Sequence, residues 1–147
     1  MKINSGCGKD YREGWWNTDI AEGIKVEQRM DVRKHKFNIG KEASELVYCS
    51  GVLEQILENE HLVHAMNEMW RVLKKGGVAE IVVPNAEHSI AFQDPFDVRK
   101  FTPKTFAYFI EGKREYELYG KLYGFQPWSS CEINENHRNI LEVKLTK

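Results

Sequence analysis

No apolar run in the 147-residue chain approaches the roughly 18 residues needed to cross a bilayer, and the opening MKINSGCG lacks the apolar core of a secretory leader. Membrane insertion and export are therefore not expected. Cysteine is scarce and odd in number: Cys7, Cys49 and Cys131 stand apart, with no CxxC pair to hold zinc or staple a small secreted fold. A reducing compartment, the cytoplasm, is the expected setting. Neither sign of charge prevails, since 21 Lys and Arg face 22 Asp and Glu for a formal net charge of −1. The basic residues are scattered among carboxylates, so the stripe that nucleic-acid binding requires is missing and a small molecule is the expected partner. Four prolines and eleven glycines form no linker, and no repeat divides the chain. One domain over 1–147 follows, with a change of character near Pro84 that separates a half at 1–85 from an aromatic-rich segment at 86–147.

What is present reads as α/β. Strand candidates are Lys2 to Asn4, Trp15 to Ile20, Val26 to Asp31, Leu46 to Ser50 and Val78 to Pro84. The last two, LVYCS and VAEIVVP, are short apolar or β-branched runs bounded by turn signals. Between them Leu62, Met66, Met69 and Leu73 recur at helical spacing, with Asn59 placed as N-cap, Lys74 and Lys75 in the last turn and Gly76 as C-cap. Strand, helix and strand at this spacing predict a parallel crossover. Further on, Thr102 is placed to cap and Pro103 to open a helix whose buried face is Phe106, Phe109 and Ile110. Trp128 to Ile133 and Asn139 to Leu145 flank the polar turn ENHR and predict an antiparallel hairpin. The expected architecture is a doubly wound, mostly parallel Rossmann-like sheet that ends in this hairpin.

Chemistry is expected where strands end. In INSGCGKDYREGWWNTD the first strand runs into a turn with Gly6 and Gly8, where the backbone can bend sharply and a ligand can lie close. A dinucleotide fingerprint would place a third glycine at position 11, which is Tyr, and Gly14 comes too late to cradle a pyrophosphate. Asp19 ends the second strand, where a carboxylate reaches both hydroxyls of a ribose. A nucleoside without a pyrophosphate fits this pattern, although each feature also reads as an ordinary turn.

The string INSGCGKDYREGWWNTDI resembles the first motif of class I S-adenosylmethionine-dependent methyltransferases, in the subgroup whose glycine loop leads directly into GW-x-N-x-D. ELVYCSGVLEQI followed by EMWRVLKKGGVAEIVVPN is similar to the fourth strand, its loop, the next helix and the fifth strand of that family, and QDPFDVRKFTPKTFAYF to a downstream segment. The likeness covers about residues 2 to 110. It implies S-adenosylmethionine as cofactor and in-line transfer of its activated methyl group to a small-molecule acceptor. By the same resemblance Gly6, Cys7 and Gly8 would face the methionine half of the cofactor, Cys7 through its backbone. Asp19 would hold the ribose, Ile20 would touch the adenine, Asp31 and Val32 would flank its edge, and Ser50 and Gly51 would line the methionine part.

A base is needed where the acceptor arrives protonated, and Glu54, His88, Asp94 and Asp97 are the candidates near the expected opening. Each has a bland alternative: Glu54 as a solvated or capping residue, His88 in a surface loop, Asp94 as a turn former before Pro95. The family's L-E-H reads Leu53-Glu54-Gln55 here and its D-P-T-H reads Asp94-Pro95-Phe96-Asp97, so two histidines are exchanged for an amide and a carboxylate. These exchanges feed a second reading, a cofactor-binding subunit that has lost turnover. A third is another nucleoside-binding α/β protein. No helix is expected ahead of the first strand to cover the pocket, so the aromatic segment after Pro84, or a second copy of the chain in a homodimer, is the expected cover, and Phe92 to Phe101 is expected to shape the acceptor pocket. His35, His61, His64 and His137 form no metal-ligand set, and no metal is expected.

Overall fold

The computed structural model describes residues 1–147. Seven strands, β1 (Lys2–Ser5), β2 (Trp16–Asp19), β3 (Gln28–Arg29), β4 (Ser44–Ser50), β5 (Leu73–Pro84), β6 (Ser130–Glu135) and β7 (Ile140–Thr146), form one sheet in the order β3-β2-β1-β4-β5-β7-β6. β1 to β5 are mutually parallel, whereas β7 runs antiparallel to β5 and β6 antiparallel to β7. This is the expected mostly parallel sheet ending in a hairpin. The order reverses between β1 and β4, so the loops leaving these two strands diverge there and open a crevice at their carboxyl ends.

Alternation along the strands assigns the two faces of the sheet. Ile3, Ser5, Val47, Cys49, Ala79, Ile81, Val83, Leu141, Val143 and Leu145 are in register with one another and fully buried. Their neighbours Lys2, Leu46, Tyr48, Val78, Glu80, Val82, Glu142 and Lys144 point the other way and stay half-buried or exposed. One face therefore carries the core. Helix α1 (Asn59–Val72) packs there through Leu62, Ala65, Met66, Met69 and Val72, the stripe that its helical spacing dictates. The opposite face is covered only locally, where the loop after β1 lays Arg12 across the Tyr48 ring with the guanidinium 3.9 Å from its centroid.

Boundaries shift where packing overrides local signals. Asn59 is the first helical residue and not the cap, which is Glu58. The helix stops at Val72, and Leu73, read as its last turn, already belongs to β5, where it pairs with Ser44. Leu73 is buried in either conformation, which is why periodicity could not separate the two. Gly76 accordingly caps no helix; its positive φ of 77° lies within the extended chain, and its N–H donates to the Lys147 carbonyl at 2.8 Å. β3 shrinks to two residues, and the exposed Glu27 just ahead of it accepts from the Asn17 backbone at 2.7 Å and from the Tyr11 hydroxyl at 2.6 Å. The crossing from β3 to β4 is tied to α1 by Arg71, which pairs with the buried Glu68 at 2.8 Å and donates to the carbonyls of Phe37 and Ile39, each at 3.1 Å.

After β5 the chain forms a 3-10 helix, Pro103–Phe109, with Thr102 and Thr105 in a reciprocal capping box. A π-helical turn, Tyr116–Gly120, follows and runs into an α-helical turn, Lys121–Tyr123. Phe101, Phe106, Phe109, Phe125 and Trp128 from this segment complete the core, with Phe109 and Phe125 edge to face at 4.7 Å. No helix is long and apolar enough to cross a membrane.

Candidate functional site

The crevice at the switch point exists because residue 6 has no side chain. Gly6 sits at φ 68°, and a Cβ there would lie 2.3 Å from Val52 Cγ2, so the loops after β1 and β4 touch only with glycine at this position. The result is a cleft of about 280 Å³ bounded by Gly6, Asp19, Met30, Gly51, Gln55 and Phe96, among others. The ends of β1, β2, β3 and β4 all contribute to it.

Asp19 is locked in this wall. Its Oδ2 accepts the Gly8 N–H at 2.7 Å and its Oδ1 the Ala21 N–H at 2.8 Å. Two donors leave an ionised carboxylate with further lone pairs for a ligand's hydroxyls. Ile20, Met30, Val32, Val52 and Phe96 supply apolar surface around it. Asp31 also lines the cleft, but its carboxylate is engaged in a bidentate pair with Arg33, Nε to Oδ1 and Nη2 to Oδ2 each at 2.8 Å. The Arg33 guanidinium holds the Asp31 carboxyl below the usual carboxylate range.

Of the residues expected at a cofactor, Gly6, Asp19, Ile20, Asp31, Val32 and Gly51 meet in this cleft. Gly8 stands one step behind, positioning Asp19. Cys7 is buried, its N–H spent on the Thr18 carbonyl at 2.9 Å, and burial pushes its thiol up. Ser50 faces a different space.

That space is a second cleft, also about 280 Å³, lined by Ser50, Gly51, Glu54, Val82, Val83 and Pro84 together with Asn136, Arg138 and Ile140 of the hairpin turn. Gly51 belongs to both clefts and joins them. The hairpin contribution has no local signal in the sequence; topology supplies it, because β7 runs antiparallel to β5 and the turn that opens it falls beside the carboxyl end of β5.

Glu54 is neither solvated nor a cap. It is 5% exposed, and its Oε2 is buried without a hydrogen-bond partner. Burial pushes its carboxyl up to about 7, and the charges of Asp97 and Asp94 add to the rise. Asp97 is itself raised, by burial and by Asp94, while a hydrogen bond from the Gln55 side chain opposes the shift. Glu54, Asp94 and Asp97, some forty residues apart in sequence, thus share one electrostatic neighbourhood. Arg99 ties the two segments, donating to the Ile56 and Leu57 carbonyls at 2.8 and 2.9 Å while its N–H donates to the Glu54 carbonyl at 2.8 Å. Asp94 is also a turn former, accepting the Phe96 N–H at 2.9 Å. His88 stands apart from this group, paired with Glu135 at 2.9 Å. Phe96 walls the first cleft while remaining 74% exposed, whereas Phe101 is core. No group of three or more His, Cys, Asp or Glu is arranged to hold a metal ion.

No protein-family model matches the chain, and no curated protein matches it. Solved structures do. A S-adenosylmethionine-dependent methyltransferase from Archaeoglobus fulgidus superposes with a TM-score of 0.71 at 14% identity, over 99% of this chain and 85% of that one. One from Thermotoga maritima gives 0.64 at 12% identity, over 100% and 82%. Human N-acetylserotonin methyltransferase, in complex with S-adenosylmethionine, gives 0.62 at 12% identity, over 99% of this chain and 47% of that one. The chain has the class I S-adenosylmethionine-dependent methyltransferase fold.

Proposed function

We propose that the chain binds S-adenosylmethionine in the cleft at the switch point and methylates a small molecule held in the adjoining cleft. The observation that carries the reading is Asp19: a carboxylate fixed by two backbone N–H groups at the end of β2, facing a cleft walled by apolar side chains. Those features suit a nucleoside. Asp19 takes the ribose hydroxyls, Ile20, Met30, Val32 and Phe96 enclose the purine, and Asp31 with Arg33 closes its edge. Gly6, with Cys7 and Gly8 behind it, and Gly51 border the methionine portion, while Ser50 stands on the side of the adjoining cleft.

When bound, the cofactor supplies a methyl group already activated by a sulfonium charge, so little covalent assistance is asked of the protein. The chain's own task is to align and to manage one proton. Glu54, buried beside Gly51, is the group suited to accept that proton, since a carboxyl near 7 is balanced between its two states at neutral pH. Burial keeps it there, and Asp97 and Asp94 add to the effect by repelling its ionised form. The neutral side chain of Gln55, which lines the first cleft, favours a second reading, binding without turnover, because by the family resemblance an imidazole is expected at that position.

Calorimetry with S-adenosylhomocysteine tests the cofactor reading. The parent protein is expected to bind, and Asp19→Ala to bind at least about tenfold more weakly, the loss of hydrogen bonds to a charged group. Absence of heat from the parent at millimolar ligand refutes it. Release of S-adenosylhomocysteine in the presence of acceptors separates turnover from binding alone.

A further inference from the structure

We infer that the second cleft is a site for a small zwitterionic amine, its ammonium group held at Glu54 and its carboxylate at Arg138, and that this is the acceptor class of the transferase. The second half of that statement rests on the cofactor reading above; the binding site does not.

The argument begins with charge. Two charged side chains border the cleft, and they are of opposite sign: Glu54 and Arg138. Glu54 is buried with Oε2 unpartnered, an arrangement that costs free energy until a donor arrives. Asp94 and Asp97 lie close enough to raise it further, so the field at this end of the cleft is negative and favours a cation over a neutral hydroxyl. Arg138, from the hairpin turn, borders the same cleft. The Asn136 side chain accepts the Arg138 N–H at 2.9 Å and the Ile140 N–H at 3.3 Å, which fixes the turn, while the Arg138 guanidinium has no carboxylate partner within the chain. A planar guanidinium without a partner matches a carboxylate. The apolar part of the lining includes Val82, Pro84 and Ile140, surface suited to a short aliphatic chain.

The same geometry gives the amine a route to reaction. An ammonium nitrogen becomes a nucleophile once its N–H bond breaks toward the Glu54 carboxylate and leaves the electron pair behind. The nitrogen then faces Gly51, the residue shared with the first cleft. Its pair forms the new N–C bond as the C–S pair returns to sulfur, leaving a neutral thioether and an N-methyl ammonium, and Glu54 passes its proton to water. An alcohol holds its proton far more tightly than an ammonium group does, beyond the reach of a carboxyl near 7.

The test is titration calorimetry of the full chain with ω-amino acids from β-alanine to 6-aminohexanoate, each beside the ω-hydroxy acid and the n-alkylamine of equal length. Titrations are run with and without saturating S-adenosylhomocysteine. At least one length should bind about tenfold tighter than both its analogues, a difference of about 1.4 kcal/mol. Arg138→Gln should reduce that amino acid to the affinity of the alkylamine, and Glu54→Gln to that of the hydroxy acid. Arg138→Gln is exposed and should melt as the parent does and keep its S-adenosylhomocysteine affinity. Equal binding of the hydroxy acid, unchanged affinity in Arg138→Gln, or no binding of any length at about 10 mM overturns the site. Amino-acid binding in a protein that takes no S-adenosylhomocysteine overturns the transferase reading and leaves the site standing.

Discussion

Replacing Glu54 by Gln should stabilise the protein, and by an amount set by pH. In the unfolded chain this carboxyl titrates near 4.5, and in the folded chain burial moves it to about 7. Between those values the folded state holds a proton that the unfolded state has released, so stability falls as pH rises through this window and the full penalty applies above it. At about 1.4 kcal/mol per pH unit the shift amounts to about 3 kcal/mol. The variant carries an amide of nearly the same shape, has no charge to bury, and escapes the penalty. Its melting temperature should match the parent's near pH 4.5 and exceed it by roughly 6 to 12 °C at pH 8, taking 2 to 4 °C per kcal/mol for a chain of this size. Thermal melts of both proteins at half-unit pH intervals measure the difference directly, since titrations elsewhere cancel. A gap that does not widen between pH 5 and 8, or a variant less stable than the parent at pH 8, would refute the account of Glu54 as a buried carboxylate without a partner.

Other residues give equally direct tests. Gly6→Ala must move Val52 into the first cleft and hold a positive φ with a side chain; a loss of about 2 to 4 kcal/mol and a large fall in S-adenosylhomocysteine affinity are expected in denaturant melts and calorimetry. Gly120→Ala places a Cβ 2.0 Å from the Tyr108 carbonyl oxygen, a backbone atom that cannot swing aside, so about 3 kcal/mol should be lost with ligand affinity at the distant clefts little changed. Arg71→Met strips the partner from the buried Glu68 and releases the carbonyls of Phe37 and Ile39; about 3 to 5 kcal/mol should go, and hydrogen exchange should rise through residues 30–43.

The parts of this architecture that the sequence announces are those whose signals are local. LVYCS and VAEIVVP are strands because their side chains fill a buried face, Thr102-Pro103 opens a helix by its own chemistry, and ENHR turns a hairpin. Asp19 is legible in position, as the last residue of a short strand beside a glycine turn, whereas its part in binding is not, since an ordinary turn reads the same way. What stays hidden depends on distance. Glu54 reads as a surface residue until Asp94, Asp97 and Arg99 arrive from forty residues downstream to enclose it. Arg138 reads as one more polar turn residue until β7 is placed beside β5. The end of α1 is missed because Leu73 satisfies both the helical stripe and the first buried position of β5. Gly76 misleads for a simpler reason: the positive φ that stops helices also bends extended chain.

The two rims of the sheet have a consequence of their own. β3 offers an incoming backbone only two residues, and β6 sets Glu132, Asn134 and Glu135 along the opposite border, so neither rim can template a ribbon of further chains. Filament growth by backbone pairing is thereby disfavoured. Pairing of two molecules through side chains on the half-buried side of the sheet around Leu46 and Tyr48 would leave both clefts free to fill and empty, since neither residue borders them.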